Sequence, residues 1–203
     1  MPSEEFSVTQ LIVAHREGSP GALDQLVSVL YQDLRRLAHG QLRRLKSWEG
    51  LNTTALVHEA YVKLVAKEDR DWENERHFLA TSATAMRHIL VDAARRRMAE
   101  KHGGGHHPET LDDRLCAEQA HALEVLSVHE ALDQLREIDG RLCRVVECRF
   151  FAGYSAGEAA KALDVSERTL RRDWLRARAW LRRWLGPNGT DGAETLQEKP
   201  ADG

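Results

Sequence analysis

The sequence predicts an all-α protein made of two small helical domains joined by a flexible linker. Aromatic residues make up only 6% of the chain, and long alternating runs of Val, Ile and Thr are missing, so a large β-sheet is not expected. Apolar residues recur instead at helical spacing, as Leu23, Leu26, Leu30, Leu34 and Leu37 do. Three consecutive glycines at 103–105 then interrupt the helical pattern near the middle of the chain, which predicts a break between two helical units.

The first domain is predicted over residues 1–101. Its helices are expected at 11–14, 22–45, 54–65 and from 78 to about 101, wherever apolar residues keep the helical period. Ser19 and Pro20 should begin the second helix, because serine is a common cap and proline is common at the first helical position. Residues 66–77 are charged and non-periodic, which predicts a loop.

The second domain is predicted over residues 127–186, after a linker at 102–126 that begins with glycine and histidine and continues with acidic residues. Short helices are expected at 128–137, 141–151 and 156–163, followed by a long one at 167–185. Residues 187–203 contain Gly, Pro and acidic residues without an apolar period, which predicts a disordered tail.

Several protein classes are disfavoured by composition. No apolar run approaches the ~20 residues needed to span a bilayer, and the polar start MPSEEFSVTQ lacks a signal-peptide pattern, so we expect a cytoplasmic protein without membrane insertion. The three cysteines at 116, 143 and 148 are an odd number without a C-x-x-C pair. This pattern favours reduced thiols over a disulfide framework or a zinc site, and Cys143 and Cys148 are expected in the core.

Charge is strongly segregated along the chain, although the net charge is only -3. Seven arginines lie between residues 168 and 183 against the single acidic residue Asp173. Nine acidic residues lie between 109 and 139 against Arg114 and Arg136. The concentrated positive charge of the C-terminal helix is typical of a nucleic-acid-binding surface.

A helix-turn-helix is predicted at residues 155–185. Ser155 and Glu158 have the spacing of a capping box, and Ser166 follows a short turn as the cap of the next helix. On that helix the apolar positions fall in one sector, and the arginines lie opposite. A solvated face usually mixes charge signs, whereas this one barely does, so we predict DNA contact through Arg168, Arg171, Arg172 and Arg176. The first three lie near the helix N-terminus and are candidates for base-edge or phosphate contact, and Arg176 for phosphate contact.

Two segments of the N-terminal half then resemble a known family. Residues 56–64 (LVHEAYVKL) look like the sigma-factor helix that docks on the clamp of the largest RNA polymerase subunit. Residues 85–97 (AMRHILVDAARRR) resemble the sigma-factor helix that faces the -10 promoter element. Together with NTTALVHEAY at 52–61, they identify the chain as a member of the extracytoplasmic-function (ECF) sigma factors, in an ECF-like subgroup. Thr81 and Ser82 depart from the Trp-Leu pair that many members of the family have there.

The resemblance implies a non-enzymatic subunit that binds core RNA polymerase and directs it to promoter DNA, without a metal or cofactor. The resemblance leaves open whether an anti-sigma factor is a further partner. Polymerase contact is implied for residues on the 56–64 segment, His58, Glu59, Val62 and Lys63. Contact with the -10 element is implied for Trp72, Asn74, His77, Arg87, His88, Arg95 and Arg96. In the -35-binding region the matching segment adds Ser166 and Thr169 to the four arginines.

Alternatives stay open at this point. Trp72 could anchor a loop on the helices rather than contact a base, and Glu59 and Lys63 could form a solvated i, i+4 pair. A dimeric helix-turn-helix regulator would explain the arginine-rich helix but gives no role to the 56–64 segment. A metal-dependent enzyme would use His102, His106 and His107, yet these histidines have no matched carboxylate or cysteine spacing.

Overall fold

The computed structural model describes residues 7–44, 51–66, 72–103 and 113–186, and across these ranges every regular element is a helix. The all-α prediction is therefore confirmed. None of the helices described is long and apolar enough to cross a membrane. The helices, in chain order, are α1 Val8–Arg16, α2 Ala22–Val29, α3 Tyr31–Arg44, α4 Thr53–Ala66, α5 Glu75–Gly103, α6 Asp113–Ile138, α7 Gly140–Val146, the π-helical segment Glu147–Phe151, α8 Ala156–Ala162 and α9 Glu167–Leu185.

The single helix predicted at 22–45 is wrong, because the chain breaks at Leu30 into α2 and α3. Leu30 leaves the helical conformation with φ -92° and ψ 12°, and its side chain is buried. This lets both helices turn their apolar sides to the same core. The predicted cap at Ser19 is also wrong. Gly21 is the N-cap of α2, with a φ of 78° that glycine adopts without strain, and no side chain caps the helix.

The N-terminal core is built from α1 to α5. Its fully buried members include Leu26, Leu56, Phe78 and Met86. Trp72, which precedes α5, also lies in this core: its ring stacks on His15 at 4.8 Å and meets the edge of Phe78 at 4.9 Å between centroids. The two aromatic contacts attach the start of α5 to α1.

The C-terminal core is built from α6 to α9, and Leu132, Leu135 and Leu170 are fully buried in it. α6 already begins at Asp113, so the part of the predicted linker from 113 to 126 is helical rather than irregular. Ala122 of α6 is buried and α6 packs against α5, so tertiary contacts stabilise a segment whose own apolar pattern is weak. The division of the chain into two domains at 102–126 stays a prediction.

The helix predicted at 141–151 changes geometry part-way. α7 ends at Val146, and the next turn is π-helical, with the Ala152 amide donating to the Glu147 carbonyl at 2.9 Å. α8 then begins with the predicted capping box: the Ser155 hydroxyl accepts from the Glu158 amide at 3.3 Å, and the Ser155 amide donates to the Glu158 carboxylate at 2.9 Å. Asp164, in the turn before α9, has a φ of 50°, which aspartate tolerates better than most residues.

Candidate nucleic-acid interface

The basic face of α9 is positioned by its own cap and by its apolar stripe. The Ser166 hydroxyl accepts a hydrogen bond from the Thr169 amide at 3.1 Å, which begins the helix. The stripe packs into the C-terminal core, as predicted, through Leu170, Trp174, Ala177 and Leu181. The opposite side is exposed and carries the predicted arginines Arg168, Arg171, Arg172, Arg176, Arg182 and Arg183.

A buried carboxylate lies beneath this basic face. The Asp173 side chain is only 1% exposed, and its Oδ2 is 2.9 Å from Nε of Arg141 at the start of α7. Its Oδ1 is 3.6 Å from Nε of Arg172 and 3.7 Å from Nη1 of Arg176. These contacts are ion pairs without hydrogen-bond geometry. Asp173 therefore draws two arginines of the basic face toward the helix surface, a role that the sequence did not reveal because it shows only a lone acidic residue.

One apolar side chain stands on the basic face. Leu175 is 65% exposed, next to Arg171 and Arg172 along the helix. The predicted DNA contacts on α9 are all polar and do not include Leu175. The available signal was a leucine outside the apolar sector of an amphipathic helix.

A second candidate surface lies on α4. His58, Glu59, Val62 and Lys63 are all exposed, as docking would require. The Lys63 ammonium pairs with Asp92 of α5, with 2.7 Å between Nζ and Oδ2, so its ion pair reaches the neighbouring helix. Val62 and Val65 are each about half exposed and give this face an apolar strip.

A groove of about 360 Å³ opens beside α4, toward α2 and α3. Val27, Tyr31, Val57 and His58 contribute to its lining. At its rim the Tyr61 hydroxyl donates to the Asp24 carboxylate at 2.6 Å, and this hydrogen bond raises the pKa of Tyr61. The α4 surface thus combines an apolar strip, an apolar groove and charged groups.

Two predicted -10 residues at the start of α5, Asn74 and His77, form its N-terminal cap. The Asn74 side-chain oxygen accepts from the His77 amide at 3.0 Å, and His77 Nδ1 accepts from the Glu73 amide at 3.4 Å. Trp72 is only 3% exposed, so in this conformation its ring packs in the N-terminal core as a loop anchor would.

The predicted -10 residues on α5 divide into two groups. Arg95 and Arg96 are exposed, and Arg95 lies 3.9 Å from Asp92. Arg87 is buried, 3% exposed, and His88 is half-buried. Burial and the adjacent Arg87 charge lower the pKa of His88 to about 4, so its ring is neutral at pH 7. The structure does not bring these four side chains to one open face.

The family model described as ECF sigma factor matches the chain over residues 5–186. This range covers most of the 203-residue chain. The chain belongs to the ECF sigma factor family. A search of curated proteins and a search of solved structures each found no match.

As an ECF sigma factor, the protein binds core RNA polymerase and directs it to promoter DNA. It is a transcription initiation factor and not an enzyme, and members of this family are often regulated by anti-sigma factors. The metal-enzyme and dimeric-regulator alternatives therefore fall away. The side chains of His102, His106 and His107 lie outside the described part of the structure, and within that part no three metal-binding side chains cluster.

Two cysteines of the sigma factor are packing residues, as predicted. Cys143 and Cys148 are free thiols in the C-terminal core. Burial raises the pKa of Cys143 to about 11 and that of Cys148 to about 12, so both are protonated at physiological pH. The side chain of Cys116 is outside the described residues.

Proposed function

We propose that this sigma factor reads the -35 element as duplex DNA through α9 and binds polymerase through α4. We assign recognition of the -10 element to α5 and its N-terminal cap. The observation that carries it is the division of α9 into a buried apolar stripe and an exposed, arginine-rich face beginning at a capped N-terminus. A helix of this kind, preceded by a short helix and a tight turn, has the form of a helix-turn-helix that enters the major groove.

Contacts on α9 are assigned by the distance of each residue from the N-terminus of the helix. Arg168, Arg171 and Arg172 lie in its first two turns, where side chains reach base edges and where arginine pairs with the O6 and N7 atoms of guanine. Arg176 lies further along and is assigned to phosphate. Leu175 fits the methyl group of a thymine, the one apolar feature that a base presents in the major groove.

Polymerase binding is assigned to the exposed face of α4. An apolar strip with a charged margin is the usual composition of a protein–protein interface, in which the apolar part supplies affinity and the rim supplies orientation. Val62 supplies the apolar part, while His58, Glu59 and Lys63 flank it. Binding through α4 and α9 to one holoenzyme would let two weak sites gain affinity by being linked.

For the -10 element, the exposed Arg95 and Arg96 are available for phosphate contact, while the capping residues Asn74 and His77 lie at the other end of α5. Arg87 and His88 lie between these two groups and are covered by the C-terminal half. Their proposed contact with DNA therefore requires the two halves to separate.

The proposal is tested by reconstitution with bacterial core RNA polymerase, scoring co-elution and initiation on a library with a randomised -35 region. We expect Arg171→Ala to lose about 1–3 kcal/mol of discrimination at one base position. Arg176→Ala should instead weaken all promoters evenly and reduce the salt slope of binding by roughly 0.9. Arg144→Ala, an exposed arginine on α7, is the matched control.

Failure to bind core polymerase, together with tight dimeric binding to duplex DNA by the protein alone, would contradict the proposed use of α4 and α9. A uniform loss of affinity in the Arg171 variant, without relaxed discrimination, would move that arginine from base to phosphate contact.

A further inference from the structure

The middle of α5 is covered by the C-terminal half of the same chain. The Arg87 guanidinium enters between α6 and the π-helical segment, where it donates to His129 Nδ1 at 2.7 Å and to Glu147 Oε1 at 3.1 Å. It also lies 5.6 Å from the centroid of the Phe151 ring. Burial lowers the pKa of Arg87 from its ordinary value, so the guanidinium is desolvated and depends on its partners for compensation.

The partners of Arg87 belong to a connected network in the C-terminal half. Glu147 Oε1 also accepts from Arg136 Nη2 at 2.9 Å, and Arg136 Nη1 donates to Asp133 at 3.2 Å. The other oxygen of Asp133 lies 3.3 Å from His129 Nε2. The C-terminal half therefore presents a preassembled acceptor site, formed by one glutamate and one histidine, to a single arginine of the N-terminal half.

The π-helical segment begins at the residue that carries this acceptor. Glu147 and Phe151 are its first and last residues, and both contact Arg87. Such wide turns are rare and concentrate at functional positions. Here the wide turn presents a carboxylate and an aromatic ring to the same guanidinium.

A second contact fixes the direction of α5 across the C-terminal half. The Tyr154 hydroxyl donates to the carbonyl of Arg76 at 2.9 Å, and the Tyr154 ring packs against both cores. Arg76 and Arg87 are separated by about 16 Å along α5, at 1.5 Å per residue. Two anchors at this spacing hold the halves in one orientation.

We propose that the Arg87 face of α5 is a docking surface for the C-terminal half of the same chain, so that the sigma factor on its own is closed. Its consequence for promoter binding rests on the function proposed above, which assigns Arg87 and His88 to the -10 element. In the closed form these side chains are unavailable to DNA. The C-terminal half and the promoter compete for one surface, and binding to polymerase must favour the open form.

The test measures the distance between the halves in the full chain by pulsed electron resonance. Spin labels are attached at Val65→Cys on α4 and Ala179→Cys on α9, both exposed positions, with Cys116→Ser to prevent labelling there. The labelled parent should show one narrow distance distribution. Glu147→Gln should lower the ratio of closed to open chains by roughly 100-fold, because it leaves the buried Arg87 charge without an opposite charge. Arg87→Met should lower this ratio less, because Glu147 keeps its ion pair with Arg136. Arg144→Met, which alters an exposed arginine outside the network, should leave the distribution unchanged.

Helix content measured by circular dichroism identifies any variant that has unfolded. Because the two substitutions alter opposite sides of the contact, one folded variant is sufficient for the test. A broad distribution in the parent would overturn the closed form. A narrow parental distribution retained in a folded Glu147→Gln chain would contradict the Arg87 face as the surface that holds the halves together. A third measurement tests the consequence for DNA, using a 20-nucleotide single-stranded DNA and the free protein. Opening by Glu147→Gln, which keeps Arg87 and His88, should raise the affinity of the free protein for this DNA. Opening without that gain would uphold the docking surface and instead contradict the assignment of Arg87 and His88 to promoter DNA.

Discussion

The ion pair beneath the basic face of α9 predicts an asymmetric response to mutation. In Arg141→Met, the Asp173 carboxylate stays buried, 1% exposed, and loses the guanidinium at 2.9 Å. Arg172 and Arg176 remain at 3.6 and 3.7 Å, so the cost should lie at the low end of the range for breaking a buried pair, about 3 kcal/mol. Methionine retains most of the arginine stem, so the loss of packing is small.

Asp173→Asn removes the other side of the same pair and should cost less. The three arginines that it leaves have side chains 43–64% exposed and can return to water, so only the ion-pair attraction is lost, about 1 kcal/mol. Unfolding in urea, followed by circular dichroism, measures both changes from the shift in midpoint at constant slope. Arg144→Met on the same helix α7 is the control and should change stability by less than about 0.5 kcal/mol. An Asp173→Asn variant that is destabilised as much as Arg141→Met would refute the reasoning.

Three further outcomes follow from local geometry. Removing the α9 cap by Ser166→Ala should lower the free energy of unfolding by about 1 kcal/mol, and an unchanged urea midpoint would contradict the capping role. Burial raises the pKa of Cys143 to about 11 and that of Cys148 to about 12, so both thiols should resist a disulfide reagent at pH 7.5. Both should react after unfolding in urea. Rapid reaction in the native protein would refute this prediction. Lowering the pH from 7.5 to 5 should broaden the distance distribution between the halves. The reason is that an open chain protonates His88 near pH 6.5, whereas the closed chain does so only near pH 4. The contact between the halves is therefore fully stable above pH 6.5 and weakens as the pH falls toward 4. The charged or titratable groups that face this half-buried ring are Arg87, His129, Arg136 and Lys63, and identical distributions at the two pH values would contradict its titration.

Helix existence and the basic face of α9 were predictable from the sequence because both are local properties. The apolar period of residues 170–181 determines which side of α9 is buried, and Ser155 and Ser166 cap the helices that follow them. The family was equally accessible, since the segments at 52–64 and 85–97 carry its signature. The prediction of one helix over 22–45 was wrong because no local pattern marks its end: the apolar period continues through Leu30, although the helix does not.

Burial of a charged residue is a different kind of property, because it depends on a distant partner. In the sequence, Arg87 lies in a basic segment with Arg95 and Arg96 and has the composition of one DNA-facing helix. Its acceptor, Glu147, is 60 residues further along the chain, and no periodicity connects the two. Asp173 is similar, since its partner Arg141 lies on another helix.

The sequence by itself thus determined the helical class, the arginine-rich face and the family, each encoded in contiguous residues. Only the tertiary structure decided which charges are buried, as Arg87 and Asp173 are. Desolvating a guanidinium or a carboxylate is tolerable only against an opposite charge or a hydrogen-bond acceptor, and packing between separate helices supplies these partners to Arg87 and Asp173.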